Sequence, residues 1–187
     1  MAAIALVATH GVEVDVREIA RSAGVGMGTL YRHFPSKKDL VNAVLQRAFT
    51  EWAEAARAAT TDDPWADLCG FLGDALDRQA CHRGLLEGYG RSLGPGLCRL
   101  EMRPVIVELI ERAKAAGKLR PDVTAEDLTL LLIALARLAS VAPQAWRRPL
   151  HIALDGLRPG GAETAMRDGP MAPDELDIAL VPDERGE

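Results

Sequence analysis

Apolar residues recur at three- and four-residue intervals along most of the chain, the spacing that predicts α-helices. Ala and Leu dominate this apolar set, and aromatic residues make up only 4% of the chain, which favours helices over sheet. The predicted helices cover about residues 2–9, 15–24, 26–34, 37–58, 64–79, 97–116, 124–140 and 149–157, and residues 85–90 fit one more. The sequence therefore predicts an all-α protein.

Turn and capping residues define the predicted helix ends. Asp63 can cap a helix whose first position is Pro64, and Thr124 can cap another. Gly117 suits a left-handed helix end, and Pro104 predicts a kink or break within its helix. The break before Pro64 is the expected boundary between two domains.

The densest group of such signals lies between residues 15 and 37. Asp15 can cap a short helix, with Glu18 at the capping-box spacing, and Gly24 can end that helix. Pro35 stops the next helix, and Ser36 can cap a third. Two short helices joined by a Gly-containing turn form a helix-turn-helix, whose second helix enters the DNA major groove.

The second of these short helices has an apolar side and a polar side. Helical spacing directs Val25, Leu30 and Phe34 inward, and leaves Tyr31 at the margin. The residues predicted to point outward are Met27, Thr29, Arg32 and His33. Such side chains can contact phosphates, base edges or a thymine methyl group. From spacing alone, an ordinary helical hairpin with a solvated polar face is the alternative.

The run VREIARSAGVGMGTLYRHFPSKKDLVNAVL resembles the DNA-binding domain of the TetR (tetracycline repressor-like, TetR/AcrR) family of transcription regulators. Its core is GTLYRHFPSK, and AGKLRPDV at residues 116–123 is similar to a linker in the family's second domain. The resemblance implies a DNA-binding domain over residues 1–50 that is built on three helices. A fourth helix begins in this domain and continues to about residue 58. It also implies a helical ligand-binding and dimerisation domain over residues 60–158.

The same resemblance implies roles for individual residues in DNA binding. The positions implied to lie near bases are Arg17, Met27, Gly28 and Thr29, and those implied to hold phosphates are Tyr31, His33 and Lys37. Of these, Arg17 and Met27 are expected to set the operator preference.

The distribution of charge supports a DNA-binding N-terminal part. The chain of 187 residues has a net charge of −5, which at first disfavours a nucleic-acid partner. Residues 1–50 hold six Lys or Arg and four Asp or Glu, a net +2, whereas the rest of the chain holds 16 basic and 23 acidic residues, a net −7. Phosphate contacts are therefore expected from the N-terminal part, with two copies binding together.

A homodimer is predicted from the sequence LTLLLIALARLA at residues 128–139, which is apolar nearly all round and needs cover on more than one side. The last predicted helix can supply a second apolar strip. Two such helices from each of two subunits would form a four-helix bundle about a two-fold axis. A buried central helix in a monomer is the alternative.

Candidate ligand-binding residues lie in the second domain, for which the resemblance implies a small-molecule ligand. They combine bulky apolar surface with a few polar groups, and they are Phe71, Tyr89, Cys98, Met102, Arg103 and Trp146. Ordinary core or surface positions are the alternative for each of them.

The predicted function is that of a ligand-responsive transcription regulator. We expect a repressor that binds a near-palindromic operator as a homodimer and is released by a small molecule. The alternative is a ligand-binding or scaffold dimer with a vestigial DNA-binding head. Family members usually carry a longer first helix preceded by a basic arm, whereas this chain has only ten residues before Gly11, so either its native start lies upstream or it is shortened.

The remaining chemistry is sparse. Cys69, Cys81 and Cys98 form no CxxC pair, which argues for a reducing compartment and makes buried or incidental cysteines a better explanation than a metal or redox site. No enzyme motif is present, so no catalytic residue, cofactor or metal is predicted. No window is apolar enough to span a bilayer and no signal peptide is evident, so a cytoplasmic location is expected. The acidic stretch 159–187 is expected to be disordered.

Overall fold

The computed structural model describes residues 6–7, 14–81, 96–161 and 168–175, and the regular elements bounded within those ranges are all helical. They are α1 (Val16–Ala23), α2 (Met27–His33), α3 (Lys37–Ala58), α4 (Pro64–Cys81), α5 (Gly96–Ala115), α6 (Ala125–Val141), α7 (Arg147–Gly156) and a 3₁₀ turn (Pro159–Gly161). The prediction of an all-α fold is confirmed. The predicted helix at residues 85–90 lies outside the described residues.

Side-chain caps begin several of these helices. Ser36 caps α3 through a capping box, in which the Asp39 N–H donates to Ser36 Oγ at 3.1 Å and the Ser36 N–H donates to Asp39 Oδ2 at 3.1 Å. A second capping box joins Thr124 and Asp127 at the start of α6. Because these caps pair backbone groups that the helix leaves unsatisfied, they place the helix starts near the predicted positions.

The capping box predicted for α1 is incomplete. Asp15 accepts a hydrogen bond from the Arg17 N–H at 2.8 Å, whereas the Glu18 N–H donates to the Asp15 carbonyl oxygen at 3.0 Å. The third N–H of this helix therefore already has a backbone partner, and the reciprocal side-chain pair is not formed within the described structure.

Glycines in the left-handed conformation end two helices. Gly24 has φ 68° after α1, and Gly117 has φ 64° after α5. In both turns the N–H of the residue after the glycine donates to a carbonyl oxygen of the helix. The Val25 N–H donates to Ala20 at 3.0 Å, and the Lys118 N–H donates to Ala113 at 2.9 Å. A side chain at either glycine would strain the backbone, so these two predicted helix ends are confirmed.

The predicted break at Pro104 is wrong. Helix α5 runs through Pro104, which lies on its exposed side. The opposite side carries Val105, Ile106, Leu109 and Ile110, which are all buried in the core. Their burial offsets the cost of about 3 kcal/mol that an interior proline imposes on a helix.

Helix α4 lies at the centre of the C-terminal part, where it packs against α5, α6 and α7. Its Leu68, Leu72 and Leu76 are fully buried. Helix α3 packs along α5, so it connects the N-terminal helices to this C-terminal core. Val7 is fully buried in the core cluster and Leu6 is half-buried, but the other residues of the predicted first helix lie outside the described residues.

Polar and aromatic contacts also join α3 to the C-terminal helices. Trp52 stacks on Phe71 with ring centroids 5.6 Å apart, and its Nε1–H donates to Asp74 Oδ2 at 3.0 Å. Farther along α3, Arg57 lies 3.9 Å from a carboxylate oxygen of Glu108. The position of α3 is therefore coupled to α4 and α5.

A buried carboxylate completes this junction, just after the end of α3. Asp67 accepts hydrogen bonds from the Thr61 N–H at 3.0 Å, the Thr61 hydroxyl at 2.7 Å and Arg112 Nη1 at 2.8 Å. Arg112 Nη2 donates in turn to the Thr61 carbonyl oxygen at 2.6 Å. The α3–α4 connection is thereby tied to both α4 and α5.

Part of the predicted disordered tail has local structure. Beyond the 3₁₀ turn, the Ala172 N–H donates to Glu175 Oε2 at 2.9 Å in a short helical turn. Residues 162–167 and 176–187 lie outside the described residues.

Candidate nucleic-acid interface

Helices α1 and α2, joined by the three-residue turn 24–26, form the predicted helix-turn-helix. Ile19 and Ala20 of α1 and Leu30 of α2 are buried against the core, which fixes the two helices relative to each other. Burial of Leu30 leaves the opposite side of α2 exposed. The Phe34 N–H donates to the Leu30 carbonyl oxygen at 2.9 Å, and the chain then turns into α3.

The exposed side of this unit carries most of the residues assigned to DNA. Thr29, Tyr31 and His33 are exposed on α2, and Arg17 is exposed on α1. Lys37 is half-buried at the first position of α3, next to the Ser36 cap. A lysine at a helix N-terminus combines its own charge with backbone N–H groups, which suits it to bind a phosphate.

The cations of the helix-turn-helix form no ion pairs with the part of the chain that the structure describes. Five of them form no ion pair with any described residue, and they are Arg17, Arg21, Arg32, Lys37 and Lys38. By contrast, Asp39, the nearest acid on α3, is held in its capping box. The helix-turn-helix therefore presents uncompensated positive charge on a chain that is acidic elsewhere.

Two predicted orientations change in the structure. Val25 is 39% exposed rather than buried, because it lies in the turn before α2 begins and so is not on the inner side of that helix. Met27 is half-buried and packs against the core, because it lies three residues before Leu30 and shares its side of the helix. Its outer part remains available to a partner.

The structure adds Arg32 to the candidate interface. It lies two residues after Leu30, on the side of α2 that faces away from the core, and it is exposed. Helical spacing had placed it outward, but the family resemblance assigned it no role. Arg32 is included in the interface because it is exposed beside other cations that form no ion pair with the described residues.

Gly28 lies on this same outward side of α2. A Cβ atom there would meet no heavy atom within 4 Å, so the packing of this chain does not require a glycine at that position. A glycine inside a helix costs about 0.8–1 kcal/mol relative to alanine. Close approach of an external surface is a physical reason to keep it.

Gly28→Ala is expected to raise the free energy of unfolding by about 0.5–1 kcal/mol and to weaken DNA binding. Alanine favours the helix, but its methyl group would project into the space that the DNA backbone or bases would occupy. Urea unfolding and fluorescence anisotropy with labelled DNA would measure the two effects. Gly70→Ala, in the middle of α4 and equally free of neighbours, is the matched control and should stabilise without changing DNA affinity. Equal DNA affinities for the two variants would remove Gly28 from the interface.

Comparison with known proteins covers both parts of the chain. Residues 1–44 match the family model described as bacterial regulatory proteins, tetR family, and residues 63–159 match the model described as the C-terminal domain of SbtR-like transcriptional regulators. The chain belongs to the TetR family. As a TetR-family transcriptional regulator it has a DNA-binding helix-turn-helix and is not an enzyme.

Individual relatives agree with this assignment. An HTH-type transcriptional regulator of Staphylococcus aureus (strain USA300) is 55% identical over 39 residues, which is 20% of this chain. The chain matches only 21% of that relative's length. TetR-family crystal structures from Streptomyces coelicolor (27% identity, TM-score 0.64) and Mycobacterium vanbaalenii (32% identity, TM-score 0.60) each match 84% of this chain, and the match covers 95% and 90% of those chains.

Several of the predicted ligand-binding residues in this TetR-family chain contact other residues of the protein. Phe71 is buried against Trp52, and Met102 is buried in the core. Arg103 forms an ion pair with the buried Glu126, with 2.9 Å between Nη2 and Oε1. These contacts show how each side chain contributes to the fold, and the ligand assignments stay predictions.

Trp146 is the candidate with an unused polar group. It is 3% exposed at the start of α7, and its buried Nε1–H has no hydrogen-bond partner among the described residues. A buried indole N–H can donate to a ligand acceptor. Cys98 lies on α5, and Tyr89 lies outside the described residues.

Cys69 lies on α4 and is half-buried. Burial raises the pKa of its thiol above the usual value, which keeps the thiol protonated and weakly nucleophilic. This chemistry fits an incidental cysteine better than a redox site. Within the described ranges, no helix is both long and apolar enough to cross a membrane.

Proposed function

We propose that this protein represses transcription by binding a near-palindromic DNA operator as a homodimer, and that a small molecule releases it. The observation that carries the proposal is the set of unpaired cations and hydroxyl groups on the exposed side of the helix-turn-helix. In this assignment Arg17, Met27, Gly28 and Thr29 lie near bases. The phosphates are held by Tyr31, His33 and Lys37, with Arg32 as an addition.

The apolar surface of α6 and α7 supports the homodimer. Val141 at the end of α6 is 84% exposed, and Ile152 of α7 is 62% exposed. Leu130 and Ile133, on the same outward side of α6 as Val141, are only half-buried in one subunit. Large exposed aliphatic side chains on two neighbouring elements are typical of a surface that another protein covers.

A two-fold dimer would also supply the affinity that one small interface lacks. Two copies of α2 about 34–36 Å apart would reach successive major grooves, so each half of the operator would mirror the other. A bacterial regulator of this kind acts on the chromosome, and we therefore place it in the cytoplasm.

Release is proposed to act through α3. The division into a DNA-binding part (1–50), a ligand and dimer part (60–158) and a tail (159–187) puts the ligand among the C-terminal helices. Trp52, Asp74 and Phe71 couple α3 to α4, so a ligand that moves α4 or α5 would move the DNA-binding head. Such a ligand releases DNA only if it binds the DNA-incompetent arrangement more tightly.

Selection of bound fragments from a random DNA pool is the experiment that tests this function most directly. The expected result is a near-palindromic site with half-sites one helical turn apart. Fragments without two-fold symmetry would contradict the homodimeric operator complex. No enrichment at all, with either this chain or an N-terminally extended form, would favour the scaffold dimer with a vestigial head.

A thermal-shift screen of small molecules would then test release. A ligand that binds the folded protein raises its Tm, and a true inducer would also dissociate the selected operator. Ligands that raise the Tm without affecting operator binding would contradict release by that ligand class.

A further inference from the structure

Helix α7 has a mixed outward side. Leu150 and Leu154 are buried, whereas Arg148, Ile152 and Asp155 are exposed. With about 100° of rotation per residue, these three exposed residues lie within about 60° of one another, directly opposite the buried pair. The middle of this side therefore presents Ile152, with the exposed His151 next to it, between a cation earlier in the helix and an anion later in it.

The two charges have no side-chain partner among the described residues of the subunit. Neither Arg148 nor Asp155 forms an ion pair or a side-chain hydrogen bond with any residue of the described structure. The adjacent Arg147, by contrast, turns inward to Asp77 of α4, with 2.7 Å between Nη2 and Oδ1. Arg147 is thus paired within the subunit, whereas Arg148 and Asp155 remain available to a group on another molecule.

The order of these residues makes the surface complementary to itself. A two-fold axis perpendicular to a helix pairs each residue before the axis with one equally far beyond it on the second copy. Arg148 and Asp155 are seven residues apart, so an axis between residues 151 and 152 would place each opposite the other charge. The two charges lie about 10 Å apart along the helix, which allows two ion pairs with Ile152 between them.

We propose that α7 packs antiparallel against α7 of a second copy of this chain, with Arg148 paired to Asp155 of the partner subunit and Asp155 to Arg148 of the partner subunit. Ile152 lies beside the two-fold axis and supplies the apolar contact. The pairing rests on the homodimer of the proposed function, and it adds the register of the interface and the residues that select a matching partner. Charges on the rim of an apolar contact are well suited to that selection.

Arg137 of α6 is the competing partner for Asp155. It lies on the outward side of α6, one turn after Ile133, and it has contacts within its own subunit. A pairing of Asp155 with Arg137 of the partner subunit would leave Arg148 uncompensated in the interface. The reciprocal arrangement satisfies both charges of α7 and is therefore favoured.

Charge exchange across the axis tests the pairing. Arg148→Asp and Asp155→Arg should each raise the dimer Kd by about tenfold or more, because each variant sets like charges opposite each other twice. An equimolar mixture of the two single variants should restore the Kd to within about threefold of wild type, since all four facing charges are then opposite. Sedimentation equilibrium of the full chains, with one variant labelled by a fluorophore, measures both homodimer and heterodimer.

Matched controls separate these effects from general charge changes. Arg47→Asp and Glu54→Arg alter exposed residues of α3 and should leave the dimer Kd unchanged. Recovery in the mixture also shows that each single variant is folded, because an unfolded chain cannot restore its partner.

Several results would overturn the pairing. If both single variants dimerise like wild type, the charges do not face each other. If only Asp155→Arg weakens the dimer and Arg137→Asp restores it, the partner of Asp155 is Arg137. A wild-type chain that stays monomeric at all concentrations would instead reject the homodimer of the proposed function, which is a distinct outcome.

Discussion

Tyr31→Ala combined with Lys37→Ala is expected to weaken binding to all DNA sequences by about 100-fold. Two phosphate contacts would be lost from each subunit, and four in the dimer, at a modest net value of about 0.7 kcal/mol each. Because phosphates carry no sequence information, the ranking of operators should stay the same. Loss of Lys37 should also reduce the magnitude of the salt-dependence slope by about two in the dimer.

Fluorescence anisotropy titrations over a range of salt concentrations would measure these effects. Tyr31 is 44% exposed, and the Lys37 side chain has no hydrogen bond or ion pair within the described residues, so the double variant should fold normally. Lys118→Ala removes an exposed charge from the C-terminal part and is the control for net charge. Unchanged operator affinity in the double variant would contradict the phosphate assignment.

Met27→Ala gives the complementary outcome for base recognition. It should alter the preference between operators more than the affinity for unrelated DNA, because an apolar side chain can pack on a thymine methyl group. Part of Met27 packs against the core, so a small loss of stability is expected as well. Selection from a random pool, repeated with this variant, would show the altered positions.

Asp67→Ala is expected to lower the free energy of unfolding by about 3 kcal/mol. The substitution removes the acceptor for the Thr61 N–H, the Thr61 hydroxyl and Arg112, and leaves these donors poorly paired at the junction of α3, α4 and α5. Urea denaturation at pH 7 measures the loss. Asp62→Ala, which alters an exposed carboxylate five residues earlier, is the matched control and should change stability by less than about 0.5 kcal/mol.

The contribution of Asp67 should also depend on pH. Burial on its own would raise the pKa of Asp67, but the hydrogen bonds from Thr61 and the charge and hydrogen bond of Arg112 outweigh it and hold the pKa below its usual value. A folded-state pKa below the unfolded value of about 3.9 means that the stabilisation is present above that pH. It is lost as the pH falls through the folded-state pKa.

Comparison of wild type with Asp67→Asn across this range isolates the effect. The difference in unfolding free energy between the two proteins should be constant from pH 7 to about pH 5 and should shrink as the pH falls below about 4. A difference that stays the same at pH 3 would show that the ionised carboxylate is not the stabilising form.

Local sequence signals predicted the helix ends well. Ser36, Asp63 and Thr124 each cap a helix through bonds to backbone groups within three residues, and Gly24 and Gly117 adopt the left-handed conformation that ends one. These interactions involve only neighbours along the chain, so residue identity and spacing are enough to predict them.

Predictions that depended on distant neighbours fared less well. A kink or break was expected at Pro104, but α5 continues through this residue because buried side chains on its opposite side hold the helix together. Arg103 was a candidate ligand-binding residue, yet Glu126, which lies 23 residues away in sequence, already pairs with it. Spacing along one helix cannot reveal which group on another helix is within reach.

The sequence alone determined the all-α class, the helix-turn-helix, the excess of positive charge near it and the outward positions of Thr29, Arg32 and His33, because helical periodicity and capping are local. Tertiary structure decided which charges are used within the subunit and which are left free. The carboxylate of Asp67 is enclosed by Thr61 and Arg112, whereas Arg148 and Asp155 have no partner within the described structure. Such pairing depends on distances between separate helices, and those distances are set only when the helices pack around α4.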